Sequence, residues 1–194
     1  MDQTTGAAID VVRTPRSKAG RFDQVSIAFH WLTLALVAGQ LTTAFLLITA
    51  SDGEAGLLTF HRTMGLVTWL AVAGRLAWRA SGAARLPPFP ASMPKLQQLA
   101  ARLNEYGLYA LLLAQPLTGL GDTVFRGRPF TLALWRVPAL VHADKPLFHA
   151  FHAAHELGAI ALLALIALHA AAALLHGLVL RDGVLERMWP WTAR

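Results

Sequence analysis

The chain alternates between long apolar stretches and short polar or basic stretches. A helix that crosses a lipid bilayer needs about 20 mostly apolar residues. Four stretches reach that length, and they are Ile27 to Ile48, Leu57 to Trp78, Tyr106 to Val124 and His152 to Leu180. None of them shows the strict alternation of a barrel strand. The pattern therefore predicts an all-α integral membrane protein, a bundle of four spanning helices.

The stretches outside the spans divide the chain into three parts. Residues 1–24 are polar and basic and are expected to form a cytoplasmic tail. Residues 25–190 would form the membrane domain, and residues 191–194 a short cytoplasmic end. No internal repeat is apparent.

Two longer connections separate the later spans. The proline-rich segment from Leu86 to Pro94 predicts a linker without regular structure. The loop from Arg126 to Phe148 opens with a turn signal. Its apolar middle, Phe130 to Val141, is too short to cross a bilayer, so it is expected to lie along the membrane surface.

Composition supports a membrane protein and removes several other classes. Hydrophobic residues make up 55% of the chain and charged residues 14%, whereas soluble domains average about 25% charged residues. The absence of cysteine excludes disulfides, thiolate-bound zinc, iron–sulfur clusters and haem attached through Cys-x-x-Cys-His. The net charge of +6 arises between the apolar stretches, which favours a lipid bilayer over nucleic acid as the partner.

Lysine and arginine are unevenly distributed between the two ends of the predicted bundle. With the N-terminus inside, the inner segments hold twelve of the 17 basic residues. The five outer ones are Arg62, Arg126, Arg128, Arg136 and Lys145. Because cytoplasmic segments carry the excess of basic residues, both termini are expected in the cytoplasm.

Four histidines within the spans are the strongest candidates for chemistry. An ionisable side chain in a span is costly and usually faces the bundle interior. His155 and His169 share one helix face, about 21 Å apart along the axis. By depth, His30 lies level with His169 near the inner face, and His61 with His155 near the outer face. Two imidazoles on opposite sides of a plane suit a six-coordinate haem, which transfers electrons.

Charged residues near these histidines have two interpretations. Arg62 next to His61, and Arg75 and Arg79 at the inner end, would pair with haem propionates. They would equally suit lipid phosphates reached by extended side chains. Glu105 would be a proton or hydrogen-bonding group, or simply a solvated residue at a helix end.

The other histidines leave alternatives open. A single membrane histidine often forms a hydrogen bond between helices. His149, His152 and His155 recur every three residues and could form a zinc site. The stronger expectation is that His142, His149 and His152 are outer-surface residues. His176 shares the face of His169 and is expected at the inner headgroup level.

The motifs in this order and spacing resemble the bacterial cytochrome b561 family of four-helix, di-haem b membrane proteins. The matching segments lie within about residues 21–190, and they include Arg21-Phe22-Asp23, Phe29-His30-Trp31, His61-Arg62-Thr63-Met64-Gly65, Pro116-Leu117-Thr118-Gly119, His155-Glu156-Leu157 and Leu168-His169-Ala170. One position departs from the family, whose members often carry a histidine where this chain has Asn104-Glu105-Tyr106.

The resemblance implies a bacterial inner-membrane protein with two haems b held between the helices. It pairs His30 with His169 for the inner haem and His61 with His155 for the outer one, as the depth argument does. It also implies electron exchange with quinone. Some members are similar to a superoxide oxidase, which passes electrons from periplasmic superoxide to ubiquinone.

Three functions therefore remain in view. The leading one is superoxide:ubiquinone oxidoreductase activity, with Arg62, Arg126, Arg128, Arg136 and Lys145 steering the anion. The second is a haem b anchor that relays electrons for a dehydrogenase or hydrogenase partner. The third is a non-haem metal transporter that uses the His149, His152 and His155 cluster.

Overall fold

The computed structural model describes residues 20–49 and 55–190. Four long helices, α1 to α4, account for most of them: Gln24–Thr49, Ala55–Ala80, Lys95–Phe125 and Lys145–Leu174. Within the described part, α1 and the continuous segment Lys145–Leu180 are long and apolar enough to cross a membrane. Most of the predicted tail, residues 1–19, and the predicted C-terminal end, residues 191–194, lie outside the described residues.

The helix bounds agree with the predicted spans at α1 and α2 but not at the start of α3 and α4. Helix α3 begins at Lys95 rather than near Tyr106. Its first turns are polar, so a search for apolar stretches does not detect them. Helix α4 begins at Lys145 rather than near His152. Its first turn is fixed by Asp144, whose carboxylate accepts a hydrogen bond from the backbone N–H of Leu147 at 3.0 Å.

The helices pack as two antiparallel pairs. The backbone of α1 lies against α2, α3 lies against α4, and the pairs meet mainly where α2 contacts α3. Helix α4 comes close to α1 and α2 at few points. The segment from Leu86 to Pro94 joins the pairs without helix or strand, as predicted. The arrangement leaves α4 facing α1 and α2 across a gap.

The outer loop corrects the all-α prediction. Strands β1, Phe130–Leu132, and β2, Trp135–Val137, form an antiparallel hairpin. The backbone N–H of Ala133 donates to the hydroxyl of Thr63 on α2 at 2.8 Å, and Phe130 is buried. The tip is open, with Leu134 95% and Trp135 74% exposed. The segment therefore folds on itself because the strands pair and one end docks on α2.

The start of α1 is fixed to the end of α2 by Asp23. Its carboxylate accepts hydrogen bonds from the backbone and side chain of Ser26, the Trp78 indole and the Arg85 backbone. Burial works to raise the pKa of Asp23, but these hydrogen bonds outweigh it and hold that pKa well below its usual range. The charged carboxylate therefore connects three parts of the inner end.

The chain returns to the inner end after α4. A π-helical segment, Leu175–Leu180, continues α4, and a short 3-10 helix follows at Leu185–Met188. The Trp31 indole donates to the backbone carbonyl of Met188 at 2.9 Å, and buried Arg187 donates to that of Pro88 at 2.5 Å. The C-terminal segment thus attaches the end of α4 to α1 and to the proline-rich linker.

Candidate functional site

The inner pair of histidines faces across the gap between α1 and α4. The ring centres of His30 and His169 are 6.1 Å apart, with an angle of 54° between the ring planes. His30 is half-buried, and His169 is exposed although it lies in the most apolar segment of the chain.

The outer pair faces across the gap between α2 and α4. The ring centres of His61 and His155 are 6.3 Å apart, and the ring planes are 87° apart. The structure therefore brings together the two pairs that the sequence predicted by depth, one near each end of α4.

The spacing of both pairs suits one metal ion between two imidazoles. A coordinating nitrogen lies about 2.0 Å from a transition metal and about 1.15 Å from its ring centre, so opposed imidazoles have centres about 6.3 Å apart. The observed separations of 6.1 and 6.3 Å match that value. The donor set is also suitable, since neutral imidazole binds iron and no thiolate is present. The residues therefore fit a haem at each pair.

Hydrogen bonds orient the outer imidazoles. The Nδ1 atom of His155 lies 3.0 Å from the backbone carbonyl oxygen of Gln115 and 3.1 Å from the hydroxyl of Thr118. The Nδ1 atom of His61 lies 2.8 Å from the hydroxyl of Thr43. Sequence reasoning missed these polar partners, although each Gln and Thr lies within a span as Gln-x-x-Thr: Gln40 with Thr43, and Gln115 with Thr118.

The inner end carries two arginines with different surroundings. Arg79 forms an ion pair with Glu105, which gives that glutamate a definite partner. Arg75 instead stacks over the Tyr109 ring at 5.3 Å and lies near both His30 and His169. Both arginines line a small inner cavity together with Tyr109 and Glu105. Arg75 is therefore the better placed of the two cations for an anionic group near the inner histidines.

The five outer cations are not equivalent. Arg62 is half-buried, donates to the Thr123 hydroxyl at 3.1 Å and stacks over Phe130 at 5.7 Å. Arg126 pairs with Asp122 at 3.0 Å and stacks over Phe148. The side chains of Arg128, Arg136 and Lys145 are exposed. The free positive charge at this end therefore comes mainly from the last three residues.

The structure gives no geometric support to a zinc cluster. His152 lies between Asp122 at 3.3 Å and Glu156 at 3.4 Å, while His155 turns towards α3. Among residues 20–49 and 55–190, no three His, Cys, Asp or Glu side chains are grouped to hold a metal ion. His142 and His149 are exposed, as expected for outer-surface residues.

His176 is buried at the inner end, where its level relative to the lipid headgroups stays a prediction. The residue is only 6% exposed. One ring nitrogen lies 2.6 Å from the Asp182 carboxylate, and the other lies 3.0 Å from the Gln97 amide. The chain folds back after α4, and this return covers the ring.

Comparison with known proteins identifies the family of the chain. The chain is 31% identical to cytochrome b561 homolog 1 of Escherichia coli (strain K12) over 175 residues, which cover 88% of this chain and 97% of the relative. It is 30% identical to cytochrome b561 homolog 2 of the same organism over 177 residues, covering 87% and 90%. A profile described as prokaryotic cytochrome b561 matches residues 21–191. The chain therefore belongs to the prokaryotic cytochrome b561 family of membrane helical bundles, which bind haem b and transfer electrons.

Proposed function

We propose that the four-helix bundle spans the bacterial inner membrane and binds two haems b, the inner one through His30 and His169 and the outer one through His61 and His155. The observation that carries this proposal is the pair of imidazole separations, 6.1 and 6.3 Å, at opposite ends of α4. The few close backbone approaches of α4 to α1 and α2 support it, because the helices within each pair pack more closely.

The proposed reaction is the oxidation of superoxide at the outer face and the reduction of quinone. Each bound haem would supply one-electron chemistry at its iron. Two superoxide anions lose one electron each to give two molecules of dioxygen, and one ubiquinone takes up two electrons and two protons to give ubiquinol. Arg128, Arg136 and Lys145 support an anionic donor, since they are exposed at the end that holds His61 and His155.

The arginines nearest the histidines would hold the propionates. Arg75 is near both inner imidazoles, and Arg79 is already paired with Glu105. Arg62 follows His61 in the chain and is held by Thr123 and Phe130. An arginine that is fixed by neighbours loses less side-chain freedom when it binds a carboxylate. We therefore assign Arg75 to the inner haem and Arg62 to the outer one.

The purified full chain tests this function directly. Two haems b per chain are expected in a pyridine haemochrome assay, with reduction by an enzymatic superoxide source and reoxidation by a soluble ubiquinone analogue. Superoxide dismutase should abolish the reduction, which controls for direct electron transfer from the source. One haem or none would contradict the haem assignment. Two haems that superoxide does not reduce would contradict the donor and favour a relay subunit that works with a dehydrogenase or hydrogenase partner.

The orientation of the bundle is a separate expectation. The twelve-to-five distribution of basic residues favours cytoplasmic termini. Reporter fusions after Arg194 and within residues 85–95 should therefore be active only as cytoplasmic reporters. A fusion within residues 130–140, at the hairpin, should be active only as a periplasmic reporter. The reverse pattern would place His30 and His169, rather than His61 and His155, next to the periplasm.

A further inference from the structure

We propose that two matching Gln–Thr pairs, Gln40 with Thr43 and Gln115 with Thr118, set the hydrogen-bonding state of the outer imidazoles and thereby lower the reduction potential of the outer haem. The inference rests on the proposed function, because it concerns how this chain holds one of the two proposed haems. The four residues are positioning residues, since they contact His61 and His155 rather than the iron.

The two pairs make the same contacts on different helices. On α1, the side-chain amide of Gln40 donates to the backbone carbonyl of His61 at 3.0 Å, and the Thr43 hydroxyl lies 2.8 Å from Nδ1 of His61. On α3, the Gln115 amide donates to the backbone carbonyl of His155 at 3.0 Å. The Thr118 hydroxyl lies 3.1 Å from Nδ1 of His155. Each helix pair of the bundle therefore contains one copy of the same arrangement.

Glycines on the histidine helices make room for the glutamines. A Cβ atom added at Gly65 would lie 3.1 Å from the Gln40 amide nitrogen. One added at Gly158 would lie 2.5 Å from the Gln115 amide oxygen. Gly65 and Gly158 follow their histidines by about one helical turn. The repeated unit is therefore a Gln-x-x-Thr on one helix and a histidine with a nearby glycine on the next.

The contacts decide which ring nitrogen carries the proton. A backbone carbonyl only accepts hydrogen bonds, so the 3.0 Å contact with Gln115 requires an N–H at Nδ1 of His155. The Thr43 hydroxyl donates to the carbonyl of Gln40 at 2.9 Å, which leaves its oxygen to accept from Nδ1 of His61. In both rings the proton is on Nδ1, and Nε2 keeps the lone pair that binds a metal.

This hydrogen bonding is confined to the outer pair. Within the described residues, the side chains of His30 and His169 have no hydrogen bond. An imidazole that donates from Nδ1 to a good acceptor becomes a more basic ligand. A more basic ligand favours ferric over ferrous iron. The outer haem would therefore have a lower potential than the same haem without these acceptors.

The two outer histidines differ in how far they depend on threonine. His155 keeps the Gln115 carbonyl as an acceptor if the Thr118 hydroxyl is removed. His61 has Thr43 as its only acceptor among the described residues. Thr43→Val should therefore have the larger effect and Thr118→Val the smaller one.

The test is a redox titration of both haems in the full-length protein in detergent or nanodiscs. The outer haem is first identified as the signal missing from His61→Ala. Loss of an outer-shell partner typically changes metal affinity by about tenfold or more. If Thr43→Val weakens the preference of the outer site for ferric over ferrous haem tenfold, the midpoint potential of the outer haem rises by about 59 mV. Thr43→Ser, which retains the hydroxyl, should restore the parent potential.

Thr42→Val is the matched control. Thr42 is the preceding residue on the same helix, and among the described residues its hydroxyl bonds only to the Ala38 carbonyl, at 2.9 Å. Thr42→Val should leave the midpoint potentials of both haems unchanged. An unchanged outer potential in Thr43→Val would overturn the inference, as would equal shifts of both haems or the same shift in Thr42→Val. Loss of the outer haem in Thr43→Val supports the inference if Thr43→Ser retains that haem and contradicts it otherwise. A parent protein without two haems refutes the proposed function itself, which this titration reveals before any variant is compared.

Discussion

Alanine in place of His61 or His155 is expected to remove the outer haem and leave the inner one. Alanine in place of His30 or His169 should do the opposite. Under the proposed function, each substitution removes one of the two imidazoles that would hold that haem, and a single remaining imidazole would bind it more weakly. The rings of each pair are spaced for one metal ion. Among the described residues, no group of three possible ligands surrounds either pair, so no neighbour is placed to substitute for a lost histidine. A pyridine haemochrome assay should give about half the parent haem content in all four variants.

The control is His149→Ala, which removes an exposed histidine near the start of α4, the helix that carries His155 and His169. It should retain both haems. His176→Ala should also retain both, because that ring is bonded to Asp182 and Gln97. Four ligand variants that each keep two haems would refute the assignment. Loss of one haem in His176→Ala would indicate that His176, two turns beyond His169, is the inner ligand.

Neutralising the outer loop is expected to slow haem reduction by superoxide about tenfold, the scale at which electrostatic steering changes association rates. The variant replaces Arg126, Arg128, Arg136 and Lys145 with glutamine. Because Asp122 offsets the charge of Arg126, the triple variant that retains Arg126 should show most of the effect. Stopped-flow measurements at two salt concentrations give the rates. The parent should slow as salt rises, since the Debye length falls from about 30 Å at 0.01 M to about 10 Å at 0.1 M.

Lys95→Gln combined with Arg181→Gln is the control for loss of positive charge away from the outer loop. Both residues are exposed at the opposite end of the bundle. This double variant should keep the parent rate and its salt dependence. If the outer quadruple variant retains both haems and is as fast and as salt-sensitive as the parent, steering by the loop is refuted.

The paired depths of the histidines could be predicted from sequence because helical geometry is regular. A rise of about 1.5 Å per residue converts positions in four spans into depths, and depth alone matches His30 with His169. Helix starts are less predictable. The first turns of α3 are polar and helical, so hydropathy gives no sign of them. The hairpin depends on pairing between Phe130 and Val137 and on docking at Thr63, which are contacts that a hydropathy pattern does not contain.

The polar partners of the outer histidines could not be predicted for a related reason. Thr43 precedes His61 by 18 residues, whereas Thr118 precedes His155 by 37. The two copies are therefore not a repeat of constant period, and only the packing of each helix pair reveals them. The burial of His176 could not be predicted either, because only its depth and helix face follow from the sequence, and the returning C-terminal segment changes its surroundings without changing either.

The gap between α4 and the α1–α2 pair has a consequence for biogenesis. Two helix pairs that meet mainly through α2 and α3 have little direct contact to hold the first and last helices together. Ligands that bind only the closed arrangement stabilise it, and the stabilisation grows with the logarithm of the ligand concentration. Under the proposed function, each haem would connect α4, which is synthesised last, to α1 or α2, which are synthesised first. Cells short of haem would then insert the helices normally but leave the bundle open to membrane proteases, and the amount of protein would follow haem supply.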